Sequence, residues 1–363
     1  MRPTLLALIV LCGLAAAPAY AAKDMSTSTY AVIGDTPYST FQIQHFTQDI
    51  GEINADDDVS RVIHLGDIKS GSTSCDTSDS DPAYGDFEQI KSDFDLFEAP
   101  LVYTPGDNEW TDCHRPSSSG GHGLYQPAGP TWTDPAWTSL LGAGHAGLPS
   151  RLDEIRRIFF SDPSGDYQTG YPENVTWNES RVQFGVVNVP GSNNDWLPWF
   201  GVEPRSPEQV DEVTNRTGAD VDWLDHVFAE AKASKAKAVV IGLQADMWDP
   251  ALGAQPSQSD HFTPIVQALA RLSLKWERPV LLMNGDSHVF EVDHPLSNPG
   301  TAQNQVYGLS GPVPNLTRIT VNGSTTPCHQ WLKMTINPKS DPVFSWQQEP
   351  FANQDTAHSQ GCS

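Results

Sequence analysis

Positive charge is scarce in this chain. Its 363 residues carry 21 Lys and Arg against 45 Asp and Glu, a formal charge of −24. A surface so poor in cations disfavours non-specific binding to duplex nucleic acid or to an anionic membrane. It does not exclude an anionic substrate, because bound cations can reverse a local field. Long apolar runs are equally rare. The longest, residues 5–17, is shorter than the roughly 20 residues of a spanning helix, so no stable membrane insertion is expected. Internal repeats, heptads, low-complexity domains and obvious linkers are also missing, which leaves residues 23–363 to be read as a single domain.

The N-terminus has the pattern of a secretory signal over residues 1–22: Arg2, the apolar run, then Ala19-Tyr20-Ala21. A membrane anchor is the alternative. The signal reading predicts an exported protein, periplasmic or extracellular. Cysteine is sparse too, five in all, and Cys12 lies inside the apolar run. The remaining Cys75, Cys113, Cys328 and Cys362 form an even set. In an oxidising compartment they read as two disulfides, and three pairings are open. Cys75 and Cys113 each follow a strand end closely, which favours Cys75–Cys113 with Cys328–Cys362. A zinc site is the other reading, but no two of these cysteines have the close spacing of zinc knuckles.

What the chain does have is a recurring strand ending. Apolar runs at 30–33, 62–65, 101–105 and 280–284 each lead into Gly-Asp: Gly34-Asp35, Gly66-Asp67, Gly106-Asp107 and Gly285-Asp286. A short apolar run closed by Gly reads as a buried strand, and a carboxylate beyond it lies at the carboxyl edge of a sheet, where α/β folds place their sites. Any one of these Asp residues could be a helix cap. Together they suggest gathered negative charge whose natural partner is a metal ion. Helical spacing follows at Ile43, Phe46, Ile50 and Ile53, at Tyr84 to Phe97, after Ser150, at Val221 to Phe228 and after Thr263-Pro264. Strand and helix alternate as in βαβ units. Residues 111–149 form a long insertion rich in Gly, Pro, Ser, His and Trp, and from Gln305 onward short alternating segments read as antiparallel strands.

In order, the strand ends read Gly34-Asp35-Thr36-Pro37-Tyr38, Gly66-Asp67-Ile68-Lys69, Pro105-Gly106-Asp107-Asn108-Glu109-Trp110, Gly242-Leu243-Gln244 and Gly285-Asp286-Ser287-His288. In order and spacing this resembles the calcineurin-like metallophosphoesterases, whose motifs are D-x-H, G-D, G-N-H-[DE], a lone His and G-H-x-H. The resemblance implies an α/β fold, a four-layer α/β/β/α sandwich of two mixed sheets flanked by helices. It also implies a phosphatase or phosphodiesterase, secreted on the signal reading above, that attacks phosphorus with a hydroxide activated by two metals. Asp35, Asp67, Asp107, Gln244, Asp286 and His288 match the metal positions. Asn108 matches the catalytic His, with Glu109 and His114 as candidates to protonate the leaving group.

The pattern departs from the family where Pro37 replaces a His ligand and where Asp107, Gln244 and Asp286 stand at positions the family fills with nitrogen or amide donors. Oxygen donors move the preference from Zn toward Mg, Mn or Ca. A tyrosinate iron, as in purple acid phosphatases of the same superfamily, would give Tyr38 a role and leave room for Fe. Tyr38, Lys69, Asn193 and Asn194 are further candidates for contact with a phosphorylated small molecule or nucleotide. Each has a plainer reading: packing for Tyr38, a solvated loop lysine or a substitute for a missing cation for Lys69, and an ordinary turn for Asn193 and Asn194. The alternative function is a catalytically decayed relative that acts as a binding or interaction module.

Overall fold

A computed structural model describes residues 25–73, 75, 87–114, 151–163, 165–201, 203–250, 256–326 and 328–354. Residues 1–22, Tyr84, Ser150, Cys362 and most of the 111–149 insertion lie outside these.

The apolar runs form strands because they are buried on both faces. β1 (Ser28–Ile33), β2 (Val59–His64) and β3 (Leu101–Tyr103) run parallel, while β11 (Gln330–Ile336) and β12 (Phe344–Pro350) extend the sheet antiparallel, in the order β12-β11-β1-β2-β3. A second sheet has the order β4-β5-β6-β7-β8-β10-β9. In it β6 (Val182–Val186), β7 (Ala238–Gly242), β8 (Val280–Asn284) and β10 (Leu316–Thr320) are parallel. β4 (Asp166–Gln168), β5 (Tyr171–Glu179) and β9 (Glu291–Asp293) pair antiparallel. The chain is thus α/β, with two mixed sheets flanked by helices. β10 corrects the expectation of antiparallel strands beyond residue 305. It pairs parallel to β8 from Leu316↔Val280 to Thr320↔Asn284, so its end reaches the same edge as the other parallel strands.

Period-two alternation divides each strand between two cores. Tyr30 and Val32 of β1 join Leu281 and Met283 of β8, Val240 of β7 and Met334 of β11 in a cluster between the sheets. Ala31 and Ile33 point the other way, toward α1 (Thr40–Asn54), α2 (Phe87–Phe94) and an Arg151–Phe159 helix, α3. On the second sheet Val239, Ile241, Val280 and Leu282 meet α4 (Pro207–Ser234) and α5 (Thr263–Trp276) through Leu224, Val227, Ile265 and Leu269. Each fully buried side chain of this kind stabilises by about 1.5–3 kcal/mol. Local signals set the helix starts. Ser39 and Gln42 form a reciprocal capping box on α1, and Ser206 caps α4 ahead of Pro207.

One buried pair faces the α1 layer. Asp49 Oδ2 lies 3.7 Å from His329 Nδ1, and neither carboxylate oxygen accepts a hydrogen bond among the described residues. Burial, then Glu52, pushes Asp49 up to about 8. Burial holds His329 down at about 4. Both groups are therefore uncharged at neutral pH. The Asp49 contribution to stability is complete below the unfolded carboxylate value of about 4 and is lost as pH rises through its folded value. The His329 contribution is complete above about 6.5 and is lost as pH falls through its own folded value. Between about pH 6.5 and 8 only Asp49 of this pair changes, giving a slope of up to about 1.4 kcal/mol per pH unit. Urea unfolding across that window should show Asp49→Asn flattening the fall in stability; an unchanged slope would refute the assignment.

Candidate metal centre at the strand ends

Four of the parallel strands, β1, β2, β3 and β8, lead into Gly-Asp, and these endings meet at one place. One ligand atom from each of Asp35, Asp67 and His288 lies within 4.8 Å of the others, and the same holds for Asp67, Asp107 and Asp286. Asp67 belongs to both groups. Asp35, Asp67 and Asp107 are buried, whereas Asp286 and His288 are half-buried, so the cluster opens on their side.

The backbone is bent to achieve this. Asp35, Asp67 and Asp286 have φ of 51°, 58° and 71°, and His288 has 66°. Asp tolerates the left-handed region better than most residues, which suits it to a sharp exit from a strand. The loops are then stitched to one another. Asp35 N donates to Gly66 O at 2.9 Å, and Asp286 N donates to Asp35 Oδ1 at 2.9 Å. Asn108 N donates to Asp67 Oδ1 at 3.1 Å. Glycine is needed at two close approaches: a Cβ on Gly285 would sit 2.1 Å from Asp35 Oδ2, and one on Gly106 would sit 2.0 Å from Asp67 Oδ1.

The electrostatics call for positive charge. Burial, then Asp107 and Asp35, pushes both Asp67 and Asp286 well above the usual carboxylate range. Among the described residues no Lys or Arg nitrogen ion-pairs with Asp35, Asp67, Asp107 or Asp286; His288 Nε2, 3.3 Å from Asp35 Oδ1, is the cationic partner present. Burial works against its charged form, yet the hydrogen bond and charge of Asp35 carry His288 above the usual imidazole value. Thr325 Oγ1, 2.6 Å from His288 Nδ1, leaves Nε2 turned to the cluster. Four carboxylates and one imidazole, crowded and unneutralised, fit divalent cations that prefer oxygen.

Several candidates have other tasks. Gln244 does not turn its oxygen to the cluster: Oε1 accepts from Gly191 N at 2.5 Å. A backbone N–H can only donate, so the amide is oriented with Nε2 donating to Asp67 Oδ2 and Asp107 Oδ1 at 3.2 and 3.1 Å. Gln244 therefore restrains two carboxylates instead of offering a lone pair. Glu109 faces inward, fully buried, and its Oε1 accepts from Gly106 N, Tyr103 Oη and Asp67 N at 2.7, 2.7 and 3.2 Å. It braces the Gly106 loop. His114 stacks on Trp199 at 4.0 Å between ring centroids, and burial lowers it to about 3, so it carries no proton to give at neutral pH. Lys69 donates to the carbonyls of Ser70 and Thr73 at 3.0 and 3.1 Å and, among the described residues, forms no ion pair with Asp35. Burial brings it down to about 8.

Tyr38 and Asn108 do belong to the cluster. Burial, then Asp67, raises the Tyr38 phenol well above its usual value, so it keeps its proton and donates to Asp67 Oδ2 at 3.0 Å. Asn108 Nδ2 donates to the same oxygen at 2.9 Å and to Tyr38 Oη at 2.7 Å.

The loop after β6 holds a feature that single residues did not reveal. Ser192, Asn193, Asn194 and Asp195 are all left-handed, with φ of 52°, 55°, 60° and 66°. Such a run costs about 1–2 kcal/mol per residue and needs outside support. Arg216 supplies it, buried in α4, by donating to Asn188 O at 3.1 Å, Asn194 Oδ1 at 2.5 Å and Asn194 O at 3.1 Å. Asn193 Nδ2 donates to Asp260 Oδ1 at 3.0 Å, and Asn194 Nδ2 to Thr217 Oγ1 at 2.9 Å. Both asparagines thus tie the turn down and do not face the cluster. Its first two residues do: Gly191 meets Gln244, and Ser192 Oγ lies 2.8 Å from Asp107 Oδ2 and 2.7 Å from Asp112 Oδ1. The run Gly191-Ser192-Asn193-Asn194-Asp195, dense in residues that tolerate positive φ, was the sequence signal for this turn. Asp246, a further unassigned carboxylate, ion-pairs with Arg318 and donates its N–H to Asp286 Oδ2 at 3.0 Å.

No model of a known protein family matches the chain, and no curated protein does. Among solved structures it is similar to GAP50, described as the anchor in the inner membrane complex of Plasmodium, with 11% identity and a TM-score of 0.37 over 91% of this chain and 90% of that one. So loose a likeness says nothing of function. No helix among the described residues is long and apolar enough to cross a membrane.

A disulfide joins Cys75 to Cys113, 38 residues apart, and so ties the loop after β2 to the loop after β3. Cys328 is also disulfide-bonded, and Cys362, its expected partner, lies outside the described residues. Replacing Cys75 and Cys113 by Ser should lower the unfolding free energy by about 4 kcal/mol, the entropy of closing such a loop. Guanidinium titration measures this, and a loss below about 1 kcal/mol would show that the bridge does not organise these loops.

Proposed function

We propose that this chain is a secreted, metal-dependent phosphoester hydrolase of the calcineurin-like type, with the four-layer α/β/β/α order of that family. The observation that carries the proposal is Asp67, whose carboxylate is common to two ligand groups built from separate strand ends. Asp35 and His288 complete one group; Asp107 and Asp286 complete the other. These residues would hold divalent cations, Mg, Mn or Ca by donor chemistry, which when bound would supply polarisation of a phosphoryl oxygen and a lowered pKa of water.

The chain's own residues supply position and exclude alternatives. Tyr38 Oη, Asn108 Nδ2 and Gln244 Nε2 hold Asp67 in place. Gln244 also fixes Asp107, and the main chain of Asp286 fixes Asp35. Asn108 spends both amide protons on Asp67 Oδ2 and Tyr38 Oη and has no acidic proton to transfer. Glu109 is spent on the Gly106 loop and His114 is neutral. Leaving-group protonation therefore falls to water, and the enzyme should favour substrates whose leaving group departs readily.

Purified protein should hydrolyse an aryl phosphate or aryl phosphodiester only with added Mn or Mg, lose that activity to a chelator, and lose it at least 100-fold in Asp67→Ala. Rates across a series of phenols should fall steeply as leaving-group pKa rises. Activity that survives both chelation and Asp67→Ala would reject the metal-dependent reading, and protein that binds no metal and hydrolyses neither ester would favour the binding module.

A further inference from the structure

Ser192 meets the cluster through its hydroxyl, which stands between Asp107 Oδ2 at 2.8 Å and Asp112 Oδ1 at 2.7 Å. Asp112 is buried and sits in a helical turn, Asp112–His114, that contains Cys113 of the disulfide. It thus stands fixed on the far side of the hydroxyl. Lys69, held by its own loop, feels Asp112 as the strongest of the carboxylates that favour its charged form. On the near side Asp107 is free to swing only as far as Ser192 and Gln244 allow.

We propose that Ser192 is a positioning residue for cation binding: its hydroxyl, donating its one proton to Asp107 Oδ2, sets the orientation of that carboxylate toward the ion that Asp67, Asp107 and Asp286 would share. The inference rests on the metal-dependent reading above and adds a residue to it. One hydroxyl has one proton, and here it faces two carboxylates. Ser192 contacts Asp107 Oδ2 and Gln244 donates to Oδ1, so both oxygens of that carboxylate are restrained. The left-handed turn exists to bring Ser192 to this spot. Its neighbours Asn193, Asn194 and Asp195 are tied outward to Asp260, Thr217 and Trp199, so only Gly191 and Ser192 face the carboxylates.

The test separates the hydroxyl from the backbone. Ser192→Ala removes the hydroxyl and keeps the left-handed strain; Ser192→Gly removes the hydroxyl and relieves the strain. Mn2+ binding to the full-length mature protein is measured by calorimetry and by the electron paramagnetic resonance signal of the free ion, alongside the melting temperature without metal. If Ser192 positions Asp107, both variants bind Mn2+ some 10–100-fold more weakly, while Gly melts higher than Ala. Wild-type affinity in both variants, or in Gly alone, would overturn the proposal and leave Ser192 a turn residue. Failure of the unaltered protein to bind Mn2+ at all would overturn the metal-dependent reading, and this inference with it.

Discussion

Four carboxylates pressed together at the ends of buried strands repel one another, and every local feature of the site is a way of tolerating that repulsion. Asp35, Asp67, Asp107 and Asp286 come from four different strand ends and carry a single imidazole among them. Hydrogen bonds from Tyr38, Asn108, Gln244, Ser192 and the main chain of Asp246 and Asp286 absorb part of the charge. Such donors orient carboxylates but do not neutralise them. The charge left over is what makes divalent cations the physical complement of this geometry.

The fold delivers that crowding by directing parallel strands of both sheets to a common edge. β1, β2 and β3 bring Asp35, Asp67 and Asp107; β7 and β8 bring Gln244 and Asp286. Strands buried on both faces make rigid supports, while sharp left-handed exits turn Asp35, Asp67 and Asp286 inward. Rigidity matters because a site that must oppose its own repulsion would relax if it were carried on mobile loops. The disulfide between Cys75 and Cys113 and the Arg216 clamp on the left-handed turn serve the same end from outside.

Much of this was legible in the sequence. The apolar run 280–284 coincides with β8, and the Gly-Asp endings marked the carboxyl edge because Gly closes a strand and Asp accepts positive φ. The Cys75–Cys113 pairing followed from the place of those residues near strand ends. Individual side-chain roles were far less legible. Gln244 looks like an oxygen donor until Gly191 N claims its oxygen, and Glu109 looks like an acid until three donors converge on it. Such assignments depend on which neighbour arrives from a distant segment, and motif spacing does not carry that. The parallel pairing of β10 was hidden for the same reason, since alternation reveals faces but not partners.

Anomalous diffraction from crystals grown with Mn2+ and recorded at the manganese edge tests the central claim most directly. The account predicts anomalous density in ligand contact with Asp67, bounded by Asp35 and His288 on one side or by Asp107 and Asp286 on the other. Crystals that bring no manganese to Asp67, with a lysine or arginine closed over the four carboxylates in its place, would contradict it.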